Sequence, residues 1–187
     1  FTIFWIAGIS NAINFIDGMD GLSSGTSLIA ALTFGIVFSI LGNATSAMIS
    51  FALFGALVGF LFFNWPPAKI FMGDSGAIFI GFALGALPFL EQSGSSSLLI
   101  VCLLISVVLF PVLDTFASMI RRTRRKISVI VPDKEHTHHK LLDFGMSEIK
   151  ALTILYSLSA IPCVSVIIWA ATGNGNFFWL VVATWII

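Results

Sequence analysis

Three short polar segments carry nearly all the chemistry this sequence can do. The first, Asn11-Ala-Ile-Asn14-Phe-Ile-Asp17-Gly18-Met-Asp20-Gly21, packs two carboxylates, two amides and two glycines into eleven residues. The second joins Asn64-Trp65-Pro66-Pro67-Ala68-Lys69 to Phe71-Met72-Gly73-Asp74-Ser75-Gly76. The third runs from Arg121 to Lys150 and holds all three histidines, His136, His138 and His139. Carboxylates at a membrane edge are costly and point to function. Asp17 and Asp20 precede a helix predicted to start near Leu22, where free backbone N–H groups and a partial positive charge suit a phosphate. Carboxylates beside a phosphate repel it unless a cation lies between them, and oxygen donors select magnesium, with manganese as the alternative, over zinc. A simpler role, capping a helix at the water interface, suffices for a single Asp but not for two with Asn11 and Asn14 one turn behind.

The second segment repeats this logic. Two prolines forbid a continuous helix at 66–67, and Asp74 then sits at the start of the next predicted span, where it caps that helix or shares a metal–diphosphate unit with the first segment. The third segment is open to two readings. Its His cluster suits a metal, but five basic residues between Arg121 and Lys126, with Lys134 and Lys140 beside the histidines, suit an anion such as a phosphate or nucleotide. The run 121–126 also suits an anchor on anionic lipid.

The elements that must position these groups are membrane helices. The chain has 187 residues, of which 58% are hydrophobic and only 10% charged, with no net charge, and a mean hydropathy of +1.04. A soluble core cannot hide that much apolar sequence. The expected class is all-α, a polytopic helical bundle with full spans at 22–41, 47–63, 71–90, 98–120 and 150–172 and partial ones at 1–10 and 177–187. Segments 11–21, 64–75 and 121–149 then fall on one face, and the connections 42–46, 91–97 and 173–176 on the other. All nine Lys and Arg lie on the first face or at the start of the span that leaves it, which the positive-inside rule makes cytoplasmic.

Residues 1–187 read as a single transmembrane domain with a cytoplasmic basic and His-rich loop at 121–149. Phe at position 1 and the truncated end spans lead to the expectation that the chain is the C-terminal part of a longer protein. Cys102 and Cys163 lie inside predicted spans and are expected to pack rather than bridge. Gly55-x-x-x-Gly59 and Gly81-x-x-x-Gly85 are spacings for close helix packing. Asp114 lies two turns inside a span, either paired with an arginine or facing the site. Asn43-Ala-Thr45 fits a glycosylation acceptor pattern that carries little information alone.

Taken together, Asn11-Ala-x-Asn14-x-x-Asp17-Gly-x-Asp20-Gly-Leu22, Asn64 with Phe71-Met-Gly-Asp74-Ser-Gly76, and His136-x-His138-His139 resemble the polyprenyl-phosphate N-acetylhexosamine-1-phosphate transferases. The related phospho-MurNAc-pentapeptide transferases share the fold, and the His-x-His-His form is closer to the GlcNAc-1-phosphate branch. The resemblance implies attack of a polyprenyl phosphate, such as undecaprenyl phosphate, on a UDP-N-acetylhexosamine, releasing UMP, with magnesium required. It places Asp74 and Asp17 at the metal, and Asp17, Asp20, Asp74, His136, His138 and His139 in the catalytic set. Asn11, Asn14, Asn64, Phe71, Arg121 and Arg122 fall on the substrate side. It also implies a bacterial inner membrane with the site on the cytoplasmic face, no nucleic-acid partner, and a homodimer left open. The family carries an Asp-Asp-rich motif upstream of its Asn motif, so this stretch alone is expected to be inactive. Ala77 stands where many members have Ser. The alternative from another class is a transporter with acids along a pathway. It would want ionisable groups at mid-membrane depth, whereas here nearly all cluster at one face. A non-catalytic binding protein is the third reading.

Overall fold

The computed structural model describes residues 1–90, 107–124 and 137–173. The described residues form helices without a strand: α1 (Thr2–Ile16), α2 (Leu22–Ile40), α3 (Ala44–Asn64), α4 (Gly73–Ala86, continued by a 3-10 turn at Leu87–Leu90), α5 (Leu109–Arg124), α6 (Thr137–Asp143) and α7 (Glu148–Thr172). Leu22–Ile40, Ala44–Asn64, Gly73–Leu90 and Glu148–Thr172 are long and apolar enough to cross a membrane, so the chain is a polytopic helical membrane protein. The expected spans at 22–41, 47–63, 71–90 and 150–172 agree with these helices to within a few residues. Part of the fifth, 98–106, lies outside the described residues, as do Cys102, the connection 91–97 and the segment 177–187.

Helix α2 is the axis. It packs against α3 on one side and α7 on another, while α1 lies against α4 and α5. Its apolar side chains Ala31, Phe34, Val37 and Phe38 are fully buried. Two of its threonines are satisfied along the helix: Thr26 Oγ1 donates to the Leu22 carbonyl and Thr33 Oγ1 to that of Ile29, each at 2.8 Å. That is how hydroxyls are carried inside an apolar bundle without loss.

The two glycine spacings separate here. At Gly81 an added Cβ would lie 2.5 Å from the Ser10 Cα, and at Gly85 it would lie 3.3 Å from the Ile9 Cβ. This pair is therefore the close crossing of α4 over α1. Gly55 and Gly59 face nothing within 4 Å among the described residues, so their spacing makes no such crossing there. Asn43 begins α3: its Oδ1 accepts from the Ser46 N–H at 3.0 Å, and its Nδ2 donates to the Leu90 carbonyl at 3.1 Å. It thus ties the two helix ends opposite the carboxylates together. Cys163 is buried and free of any disulfide.

The segment 121–149 is more structured than the expected loop. Helix α5 continues to Arg124, and Thr137–Asp143 forms α6. This seven-residue helix offers only Leu141 and Leu142 to the core, too short an apolar pattern to announce it.

Candidate active site at one end of the bundle

Helix α1 ends at Ile16, and the chain turns through Asp17-Gly18-Met19-Asp20-Gly21 before α2 begins. Gly21 has φ of +78°, a left-handed conformation that costs glycine little. Asn64, at the last turn of α3, closes on this turn. Its Oδ1 accepts from the Gly21 N–H at 3.1 Å and from Ser24 Oγ at 2.7 Å. Its Nδ2 donates to the Ile70 carbonyl at 3.0 Å, and the residue is only 4% exposed. Asp20 makes the next tie, its Oδ2 accepting from the Ala68 N–H at 2.9 Å. Ser23 Oγ reaches the Met72 sulfur at 3.4 Å. The first two polar segments, forty residues apart in sequence, are therefore stitched into one surface at one end of the bundle.

Three carboxylates meet on that surface. Asp74 is exposed in the first turn of α4, while Asp17 and Asp20 are half-buried. The Asp17 carboxyl is pushed up to about 6, chiefly by burial, with the charges of Asp74 and Asp20 adding to the rise and a hydrogen bond from Ser23 opposing it. A cation between the carboxylates would relieve that repulsion. Among the described residues no three His, Cys, Asp or Glu side chains come close enough to chelate an ion by themselves. The donor set fits a hard cation that takes one or two carboxylates and completes its shell with phosphate and water oxygens, as magnesium does. Helix α4 starts without a side-chain cap, leaving its first N–H groups open to an anion.

The other expected site residues lie on α1, α5 and α6 and just before α4. Asn14 lies on α1, one turn before Asp17, and its Oδ1 is buried with no hydrogen-bond partner among the described residues. Asn11 is exposed on α1 and donates to the Ala7 carbonyl at 2.8 Å. Phe71, beside Asp74 in sequence, is 75% exposed. Arg121 and Arg122 lie on the last turns of α5, and His138 and His139 on α6; His136 lies outside the described residues. Asp114 takes a partner from the third segment. It is buried on α5 and accepts at 3.0 Å from the Thr137 N–H, and also from the Thr137 hydroxyl. It thus holds the first residue of α6, the helix of His138 and His139.

Sequence reasoning missed Ser23, Ser24, Met72 and Tyr156. The Tyr156 hydroxyl, from the third turn of α7, donates to the Gly21 carbonyl at 2.5 Å. Two hydroxyls in a helix and a tyrosine in a membrane span carry no local signal for such contacts, although the chain's single tyrosine was visible. Beside the site an apolar groove of about 490 Å³ runs between α1 and α5, lined by Phe4, Ile9, Asn11, Phe15, Thr115 and Phe116 among others.

Comparison with known proteins sets this geometry in context. Residues 1–92 match glycosyl transferase family 4. The chain is 38% identical over 174 residues to a probable undecaprenyl-phosphate N-acetylglucosaminyl 1-phosphate transferase of Bacillus subtilis, a match covering 90% of this chain and 49% of that protein. It is 40% identical over 175 residues to a decaprenyl-phosphate N-acetylglucosaminephosphotransferase of Mycolicibacterium smegmatis, covering 83% of this chain and 43% of that one. A phospho-N-acetylmuramoyl-pentapeptide-transferase of Levilactobacillus brevis is 40% identical over 140 residues, covering 75% and 43%. The chain spans about half the length of these curated relatives.

Proposed function

From the match of residues 1–92 to glycosyl transferase family 4 we propose that the protein is an integral-membrane transferase of that family. In this reading it moves a HexNAc-1-phosphate from a UDP-sugar to a polyprenyl phosphate. A lipid phosphate oxygen forms a bond to the β-phosphorus of the UDP-sugar, the bridging P–O bond to the α-phosphate breaks, and UMP leaves with that electron pair. The observation that carries the reading is the meeting of Asp17, Asp20 and Asp74 from two helix starts, with Asp74 and Asp20 close enough to act on the half-buried Asp17 carboxyl. Phosphoryl transfer asks for positioning and charge neutralisation rather than covalent help, and this surface is built for both.

Asp74 and Asp17 are the residues that would hold magnesium. When bound, the ion supplies neutralisation of the diphosphate charge. Asp20 keeps one oxygen on the Ala68 N–H and orients the loop that presents Asp74. The open start of α4 receives a phosphate, and Asn14 turns its unpartnered oxygen to a donor on the nucleotide or to water. Phe71 offers an exposed ring to the base. The histidines and Lys140 of the third segment, with Arg121 and Arg122, engage the sugar-nucleotide phosphates. Asn64 has both its side-chain oxygen and its side-chain nitrogen bonded within the fold and acts by holding the turn. The apolar groove along α1 and α5 suits the polyprenyl chain. All nine Lys and Arg fall in the sequence segments 64–75 and 121–150, which the positive-inside rule reads as cytoplasmic and which supports a cytoplasmic-facing site in a bacterial inner membrane.

The deciding experiment is magnesium-dependent UMP release from UDP-GlcNAc and undecaprenyl phosphate by the full-length protein in membranes. Release with UDP-GlcNAc is the expected result. Release with UDP-MurNAc-pentapeptide alone would assign the protein to the branch of the Levilactobacillus relative. Silence with every UDP-HexNAc donor, in a protein shown to be folded, would overturn the enzyme reading in favour of a binding or transport protein.

A further inference from the structure

Tyr156 reaches the carboxylate turn from a helix that begins 127 positions after Gly21 ends it, and α2 is shaped to receive it. At Gly25, an added Cβ would lie 2.0 Å from the Tyr156 hydroxyl oxygen and 2.2 Å from Cζ; at Gly21 it would lie 3.3 Å from the hydroxyl. The phenol therefore occupies a notch made by two glycines one helical turn apart. Glycine inside a helix costs roughly 1 kcal/mol relative to alanine, so the notch at Gly25 is maintained at some expense to α2 itself.

The hydroxyl has a specific object. The Gly21 carbonyl already receives the Gly25 N–H at 2.9 Å and Ser24 Oγ at 3.2 Å, both from α2 itself. Tyr156 adds a donor from α7, at 2.5 Å. On the other side of the same residue, the Gly21 N–H is held by Asn64 of α3. Gly21 follows Asp20 directly and is thus gripped by two different helices. A phenylalanine at 156 would fill the notch equally well but would leave the carbonyl without its third donor, the one from α7.

We propose that Tyr156 is a positioning residue: its hydroxyl, seated in the notch of Gly21 and Gly25, locks the turn carrying Asp17 and Asp20 onto α7. The lock stands on geometry alone; its effect on turnover rests on the transferase reading above. Tyr156 touches no reacting atom in this account and acts through Gly21.

The test uses the full-length protein in detergent or nanodiscs with the variant Tyr156→Phe, which keeps the ring. Amide hydrogen exchange without metal is read first. The expected result is about five- to tenfold faster exchange confined to residues 17–26, with α3 and α4 unchanged, since one hydrogen bond to the turn is lost. Gly25→Ala, which crowds the phenol, should loosen the same residues, and should do so much less in a Tyr156→Ala background where the notch is empty. Unchanged exchange in Tyr156→Phe, or a uniform rise across the whole protein, would overturn the lock. In turnover, the magnesium concentration giving half-maximal rate should rise several-fold with the KM for lipid phosphate unmoved. A purely structural role would leave that concentration where it was. If the wild-type protein shows no turnover, the enzyme reading fails while the exchange result still decides the lock.

Discussion

Asp17 keeps its proton to about pH 6 because it is half-buried beside Asp74 and Asp20. In the unfolded chain it ionises near 3.8. A carboxyl whose native value is raised stabilises the fold while protonated, fully so below the unfolded value, and that contribution is lost as the pH rises through about 6. Above that pH the charged group weakens the metal-free protein. Asp17→Asn is therefore expected to abolish activity and yet to stabilise the metal-free protein at pH 7.5 by about 1 kcal/mol, discounted because the side chain keeps part of its surface in solvent. The gain, read as Tm in detergent, should shrink as the pH is lowered toward 5. A lower Tm for the variant at pH 7.5 would show that the carboxylate is instead satisfied in the empty site. Asp74→Asn removes an exposed group, so it should leave Tm nearly unchanged while reducing UMP release at least a hundredfold, on the order expected for loss of a charge-stabilising group.

At the scale of elements, the site depends on helices meeting at their ends. Helix α6 is too short to hold itself; the Asp114 carboxylate on its first residue anchors it to α5. Asp114→Ala should speed hydrogen exchange at 137–143 and raise the KM for the UDP-sugar in the same direction as His138→Ala, with the KM for lipid phosphate unmoved. Equal KM values for wild type and Asp114→Ala would remove this role. The α1–α4 crossing sets where Asp74 stands relative to Asp17. With its Cβ directed at the Ser10 backbone, Gly81→Ala should cost about 1–3 kcal/mol by overpacking. Gly55→Ala, with open space around it, should be neutral or stabilising by up to about 1 kcal/mol through helix propensity. Thermal unfolding of the two variants side by side checks the contrast.

For the whole molecule, the ties sort into two ends. Gly21, Asn64, Asp20 and Ala68 join at one end, and Asn43 and Leu90 at the other. Single cysteines placed at Lys69 and Lys140 in a protein with Cys102 and Cys163 replaced should react with an impermeant thiol reagent from the same side of the membrane. A cysteine at Thr45 should react from the opposite side. Labelling of 45 and 69 from one side would break the topology.

The sequence by itself determined the class, the limits of α2, α3, α4 and α7 to within a few residues, and the polar segments; it stopped α1 short of Ile16 and missed α6. Hydrophobic runs have to match the bilayer, Pro66-Pro67 and the glycine turns interrupt them, and carboxylates are too costly to leave in lipid without purpose. It also marked Gly81 and Gly85 as packing positions, though nothing local distinguished them from Gly55 and Gly59; only the presence of α1 on one side and nothing described on the other did that. What the tertiary structure alone decided are the contacts made across long separations. Asn64 is turned inward as a staple, Asp114 holds the start of a helix too short to show an apolar period, and Tyr156 closes on Gly21 from a distant helix. A side chain's type limits which bonds it can make, but the packing of α2 against α3 and α7 chooses the partner, because hydrogen bonds inside an apolar bundle form only between groups that the helix crossings bring within reach.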